Sequence, residues 1–280
     1  MTVGTAPGKA ILLGEHAVVY GRPAIAVPVV QVQARAQVDD APRGQGITIV
    51  AAELRRTIRP AAVSEHDRAA AALVRTVGNT LERLGQPPSL DLRITVTSTI
   101  PIGRGLGSGA AVATALVRAL AAHLGHELTA QDVSELVYKT EALHHGTPSG
   151  IDNTVIAFGK PLVADVRQRW QAEREIYEAR FDAIGALVEH ARDAILSSDL
   201  PLLGRLMDEN QALLQEVGVS SPRLERLIAA ARSAGALGCK LSGSGRGGNA
   251  IALVEQQGAG AVASALTTAG ARSVITTCVS

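Results

Sequence analysis

Lys9, Glu15 and His16 interrupt an otherwise apolar, glycine-rich stretch, "APGKAILLGEHAVVYGRPAIAVPV" (6–29). A lysine beside a phosphoryl or hydroxyl group would stabilise negative charge, and a carboxylate would fix a substrate or a metal. A strand-edge lysine followed by an exposed Glu-His turn is the plainer alternative. A second stretch, "IPIGRGLGSGAAVATALVRALAAHLG" (100–125), crowds Gly103, Gly105, Gly107 and Gly109 together and then runs into a helical pattern. A strand, a glycine turn and a helix start bring unpaired N–H groups and the positive end of the helix dipole to one point, which makes an anion site. A tight packing turn would use the same glycines. Ser108 adds a hydroxyl able to touch phosphate or a metal ion.

Two further stretches carry polar groups in apolar or turn-rich settings. In "TEALHHGTPSGIDNTVIAFG" (140–159), Glu141 lies on the last turns of a helix and Asp152 in a turn. One such carboxylate can ligate Mg²⁺ while the other acts on a substrate hydroxyl; an Asx turn is the alternative for Asp152. His144 and His145 are adjacent on a helix, point about 100° apart, and read as structural. The segment "KLSGSGRGGNAIALV" (240–254) is a second glycine cluster between strands. It suits a phosphate or a small hydroxy acid, or simply a bulged hairpin.

Several function classes are disfavoured. "GLGSGA" (105–110) satisfies the dinucleotide fingerprint, but the next element is another helix, whereas that fingerprint needs a βαβ unit. "GTAPGKA" lacks the spacing of a phosphate-binding P-loop. The net charge of +1 comes from scattered basic residues, which argues against nucleic acid or an anionic membrane as partner. No apolar run is long enough for a membrane span. Two cysteines, Cys239 and Cys278, support neither a disulfide framework nor a cysteine zinc site, and a reducing cytoplasm is the default. Aromatic residues are 2% of the chain, so the core must be built from Ala, Val, Leu and Ile.

The elements that must hold these residues follow from period and punctuation. Residues 26–38 and 46–54 are β-branched and partly alternating, with the turn-prone "DDAPRGQG" between them. A helical face recurs through Ala70, Val74, Val77, Leu81 and Leu84, with Ser64 as cap and Gly85 as stop. "SLDLRITVTSTI" alternates strictly and leads into the glycine loop. An alanine-rich helix then runs to about His123, and Thr129 caps another that ends near His145. From about residue 165 the pattern is helical: Trp170–Glu178, Phe181–Leu196, a helix with Pro201 near its start, and one with Ser221 as cap and Pro222 in its first position. The end reads strand near Lys240, strand over Asn249–Val254, helix over Ala259–Ala269 and strand over Ser273–Val279. Helices followed by a small antiparallel sheet predict a second, α+β domain.

Together the segments resemble the GHMP kinase superfamily, whose three motifs are matched in order by "PGKAILLGEHAVVYGRPAIA", "PIGRGLGSGAA" and "KLSGSGRGGN". Within it, "GEHAVVYG", "HHGTPSGIDN" and "LMDENQALLQEVGVSSPRLERLI" (206–228) are similar to the mevalonate kinase branch. The resemblance implies an α+β, two-domain fold: a ribosomal protein S5 domain 2-like domain over 1–164 and a ferredoxin-like α/β sandwich over 165–280. It implies Mg²⁺- and ATP-dependent transfer of a phosphoryl group to the primary hydroxyl of mevalonate, giving 5-phosphomevalonate. On matching positions, Asp152 takes or orients the hydroxyl proton, and Lys9 pairs with it and stabilises transition-state charge. Pro101, Gly103, Arg104, Gly105, Leu106, Gly107, Ser108 and Gly109 cradle the triphosphate, and Ser108 and Glu141 hold Mg²⁺. Glu15, His16, Ser149, Gly150, Asp152, Gly243 and Ser244 line the substrate end. A homodimer is compatible with the family. Alternatives are a phosphomevalonate kinase, a kinase acting on a different hydroxyl, or a nucleotide-binding relative without catalysis; a dinucleotide-dependent oxidoreductase is remote. The sequence departs from the family pattern at Gly109 (usually Ser), at Ser244 (commonly Ala), at Arg246 within the glycine run, and in the short connection after "AFGKP".

Overall fold

The computed structural model describes residues 1–64, 66–101, 105–145 and 160–278, with side chains described outside 141–145 and 160–164. Its contacts divide the chain into two compact units. One is Met1–Gly8, Val32–Ile102 and Gly107–Asn153; the other is Lys9–Gln31, Gly103–Leu106 and Thr154–Ser280. The first motif thus groups with the C-terminal residues. Each unit mixes helices and strands, so the fold is α+β.

A five-stranded sheet is ordered β1-β2-β5-β3-β4, formed by β1 (Thr2–Leu13), β2 (Ile25–Asp40), β3 (Thr48–Ala51), β4 (Arg56–Ile58) and β5 (Leu92–Ser98). It belongs to the first unit except for residues 9–13 of β1 and 25–31 of β2, which group with the second. β5 pairs antiparallel with β2, Ala36 opposite Val96, and parallel with β3. The alternation read in the sequence is what β5 shows: Leu92, Ile94 and Val96 are buried while Arg93 is exposed. Helices α1 (Arg68–Arg83), α2 (Ser108–His123) and α3 (Ala130–His145) complete this unit. The cap of α1 is Asp67 rather than Ser64: Asp67 Oδ1 accepts from Ala70 N at 3.2 Å, while Ser64 Oγ accepts from His66 N before the helix begins. A carboxylate at the N-terminus also suits the dipole, which is why it takes precedence.

α2 explains how a chain so poor in aromatics packs. Ala111, Ala115 and Ala119 are buried, and the strand meets the helix backbone directly at Gly4. A Cβ added to Gly4 would stand 2.3 Å from Ala115 O and 2.5 Å from Ala119 N. Both obstacles are backbone, so neither can swing aside. Gly4→Val is therefore expected to destabilise this unit towards the upper end of the ~1–3 kcal/mol that overpacking costs. A lowered urea midpoint checks it.

The second unit holds α4 (Lys160–Ala172), α5 (Arg174–Leu196), α6 (Leu200–Glu216), α7 (Pro222–Ser233), the antiparallel pair β6 (Gly238–Ser242) and β7 (Asn249–Leu253), and α8 (Ala259–Thr268). Ser221 caps α7 by accepting from Leu224 N, with Pro222 in its first turn, as the sequence predicts. The helical break falls at Glu173, earlier than the Glu178–Phe181 interval read from the pattern. The strand expected over Ser273–Val279 does not form among the described residues to 278. On its edge away from β7, β6 is served by side chains of α6: Asp208 accepts from Cys239 N at 2.8 Å and Gln211 from Leu241 N at 2.9 Å. Those acceptors occupy donors that another strand would use.

Candidate active site

The site begins at the turn after β1. Gly14, at φ 99°, lets the chain fold back so that Ala17 N reaches Glu15 O (2.7 Å) and Val18 N reaches Gly14 O (3.1 Å). His16 sits in the left-handed region, φ 61°, at the start of the short 3₁₀ helix Ala17–Tyr20. A non-glycine residue held there is a strain that surrounding contacts must sustain. They are substantial. Four of the chain's six aromatic residues gather behind the turn: Tyr20 stacks on Phe181 at 4.3 Å, Trp170 lies 5.2 Å from Tyr20, and Tyr177 meets Phe181 edge-on. Arg22 extends the clamp, bonding Glu178 and Asp182 of α5, while Trp170 Nε1 donates to Glu178 at 2.9 Å.

Glu15 and Lys240, from opposite ends of the sequence, meet as a fully buried ion pair, 1% and 0% exposed. Lys240 Nζ donates to Glu15 Oε1 and to Leu241 O, the latter at 2.6 Å. Burial pushes the Glu15 carboxyl up and the Lys240 ammonium down, and each opposes the other's shift through its charge. Lys9 adds a weaker attraction for the Glu15 carboxylate. No motif assigns Lys240 a role, although a lysine within an apolar strand, "GCKLS", is a signal that a buried partner exists.

The same unit joins the other glycine segments to this turn. Ser242 Oγ accepts from Ile11 N (3.1 Å) and donates to Ile11 O (2.9 Å), tying β6 to β1. His16 Nε2 lies 3.1 Å from Ser244 O. Lys9 N donates to Leu106 O at 2.9 Å. Gly105 (φ 80°) approaches Gly243 so closely that a Cβ on either would be within 4 Å of the other's Cα. Lys9, Glu15, His16, Gly105, Leu106, Gly243 and Ser244 thus share one region drawn from all three motifs.

In the first unit, Gly107 is the cap residue of α2 at φ 72°, with no side chain capping it, and the first intrahelical bond is Ala111 N to Gly107 O. The N–H groups of Ser108, Gly109 and Ala110 therefore have no helical acceptor, the arrangement that receives an anion. Pro101 precedes the loop. Gly103 and Arg104 lie outside the described residues, as do Ser149, Gly150 and Asp152; of Glu141 only the backbone, in the last turns of α3, is described. Among the described residues no group of three or more His, Cys, Asp or Glu could hold a metal ion. The Ser108 hydroxyl and a Glu141 carboxylate are oxygen donors of the kind Mg²⁺ prefers.

Arg246 interrupts the glycine run of the third motif. Its guanidinium donates to Gly218 O (3.1 and 3.2 Å) and pairs with Asp165 at 2.9 Å, while its N–H reaches Val219 O at 2.7 Å. It anchors the third glycine turn to the end of α6. Cysteine chemistry is disfavoured at Cys239, whose buried thiol is pushed up to about 12.

Comparison with known proteins decides the family. Residues 68–160 match the GHMP kinases N terminal domain and residues 191–272 the GHMP kinases C terminal domain. The chain belongs to the GHMP kinase family. Mevalonate kinase of Pyrococcus furiosus is 35% identical, covering 98% of this chain and 95% of that protein. Mevalonate kinase of Pyrococcus horikoshii is 37% identical over 90% of this chain and 88% of its own length. A crystal structure of L. major mevalonate kinase in complex with R-mevalonate superposes with a TM-score of 0.75 at 26% identity, covering 96% of this chain and 92% of that one. The P. furiosus alignment runs to 321 positions against the 280 residues of this GHMP kinase, so at least 41 positions have no counterpart in it. No helix among the described residues is long and apolar enough to cross a membrane.

Proposed function

We propose that the chain catalyses transfer of the γ-phosphoryl group of ATP to the primary hydroxyl of mevalonate, releasing ADP and 5-phosphomevalonate in the cytoplasm. The observation that carries this reading is the convergence of Lys9, Glu15 and His16 with Gly105, Leu106, Gly243 and Ser244, in a chain 35% identical to a mevalonate kinase over nearly its whole length. In this reading the family domains divide near residue 164.

The step is an in-line displacement. The mevalonate hydroxyl oxygen forms a bond to the γ-phosphorus as the bond from that phosphorus to the β,γ-bridging oxygen breaks, and ADP departs. Asp152 receives the hydroxyl proton. Lys9, on β1, stabilises the carboxylate of Asp152 and the charge spreading over the transferring group. The free N–H groups at the start of α2 and the glycines of 103–109 hold the phosphates. His16, Ser149, Gly150, Gly243 and Ser244 orient the acceptor, and Glu15, buried against Lys240, orders the turn that carries His16. Mg²⁺, when bound through Ser108 and Glu141, supplies neutralisation of the phosphate charge. Positioning and charge stabilisation suffice for such a reaction, so the site requires no nucleophilic side chain.

Steady-state ADP release tests the reading. With Mg²⁺-ATP, mevalonate is expected to stimulate release, whereas phosphomevalonate, homoserine and galactose are not. Stimulation by one of the other three without stimulation by mevalonate overturns it.

A further inference from the structure

A buried polar group left without a partner costs about 1–3 kcal/mol, so each one in a folded chain needs a reason. Among the described residues, Glu15 Oε2 and both side-chain atoms of Asn210, Nδ2 and Oδ1, are buried without a hydrogen bond. Asn210 is 0% exposed and lies on α6 within "DENQALLQE", part of the stretch that marks the family branch but has no role so far.

Two sets of observations place the stretch of α6 carrying Asn210 near the Glu15 turn. Met207 and Leu214 lie three and four residues away on the same helical face. Met207 shares a buried cluster with Leu13, and Leu214 shares one with Ala17. Asn210 therefore falls between two side chains whose buried clusters include the residues on either side of 14–16. Independently, Asp208 and Gln211 accept from Cys239 N and Leu241 N, the residues on either side of Lys240. The stretch of α6 carrying Asn210 thus runs alongside Lys240, which itself holds Glu15.

We propose that Asn210 and Lys240 are positioning residues that act through Glu15: Lys240 holds Oε1, and the Asn210 amide satisfies Oε2 through one buried water. The trio locks the Gly14–Ala17 turn and so sets His16, at φ 61°, for the acceptor substrate. An amide is suited to this, because Nδ2 donates to a water that in turn donates to the carboxylate. A buried water with two or more polar partners is an ordinary component of such a network. The identity of the acceptor rests on the proposed function; the network itself does not.

The test uses the full chain and three variants, Asn210→Leu, Glu15→Gln and their combination, read by thermal unfolding and by kinetics with Mg²⁺-ATP and mevalonate. Asn210→Leu is expected to lower Tm and to raise the KM for mevalonate about ten-fold, equivalent to ~1.4 kcal/mol, with the KM for ATP little changed. In the Glu15→Gln background the same substitution should add little to either effect, since its partner is already altered. A Tm that rises, as removal of a truly orphaned amide would give, overturns the proposal. So does an unchanged KM for mevalonate, or an effect undiminished in the Glu15→Gln background. Should Asn210→Leu fail to fold, Asn210→Ser, small enough to leave room for water, is read in the same way. A wild-type enzyme that mevalonate does not stimulate defeats the proposed function instead; additivity of the two Tm shifts then decides the network, and strictly additive shifts overturn it.

Discussion

Asp152→Asn is expected to lower kcat by about three orders of magnitude, in the range removal of a charged or proton-accepting catalytic group produces. ATP affinity should stay near that of the wild type. In the proposed mechanism, the amide keeps the shape of the carboxylate but can neither take the hydroxyl proton nor carry the charge that Lys9 would stabilise. Its effect therefore belongs to the transition state rather than to ground-state binding, and it should appear in kcat and kcat/KM together. Nucleotide titration alongside single-turnover kinetics separates the outcomes. A large loss of ATP binding would move Asp152 from the proton-transfer role to the metal.

Lys240→Met should be strongly destabilising, by about 3–5 kcal/mol, because it leaves the Glu15 carboxylate buried without its counter-charge. The double variant Glu15→Gln/Lys240→Met removes both charges and should recover most of that stability, since the pair no longer has two ions to desolvate. It should not recover affinity for mevalonate, because the turn loses the carboxylate that orders it. The pH dependence follows from the direction of the shift. With Lys240 gone, burial raises the Glu15 carboxyl still further above its ordinary 4.5. A raised carboxyl contributes stability that is complete below the unfolded value and is lost as pH rises through the folded one. The deficit of Lys240→Met is therefore smallest in acid and grows towards neutrality. Thermal unfolding between pH 4.5 and 7.5 measures it, and a deficit independent of pH would mean that Glu15 is not the group exposed by the substitution.

The motifs were legible because their residues are unusual where they stand. Glycines before a helix, a lysine and a Glu-His pair in an apolar stretch, and a second glycine cluster each violate the surrounding pattern. Order along the chain then made three weak signals specific. The helix starting at Pro222 was equally plain, since Ser221, Pro222 and Gly235 punctuate both ends. What the pattern does not carry is pairing across long separations. Glu15 and Lys240 are 225 residues apart, and although a lysine in the apolar strand "GCKLS" signals a buried partner, nothing local says which residue it is. The strand expected at 273–279 does not form among the described residues to 278, although Val274, Ile275 and Thr276 have strand propensity, and that Asp208 and Gln211 occupy donors of β6 is visible only in the tertiary structure. Arg246 illustrates the same limit, as nothing in the glycine run reveals that its guanidinium is engaged by Gly218 O and Asp165.

The central claim is a specific bond, from the γ-phosphorus of ATP to the oxygen on the primary carbon of mevalonate. Proton-coupled ³¹P NMR of the product tests it most directly, because a phosphate on a CH₂–O carbon couples to two protons whereas one on a tertiary carbon couples to none. The account predicts a phosphomonoester triplet appearing as ADP forms. A phosphomonoester singlet, or ADP formed with inorganic phosphate and no ester, would contradict it.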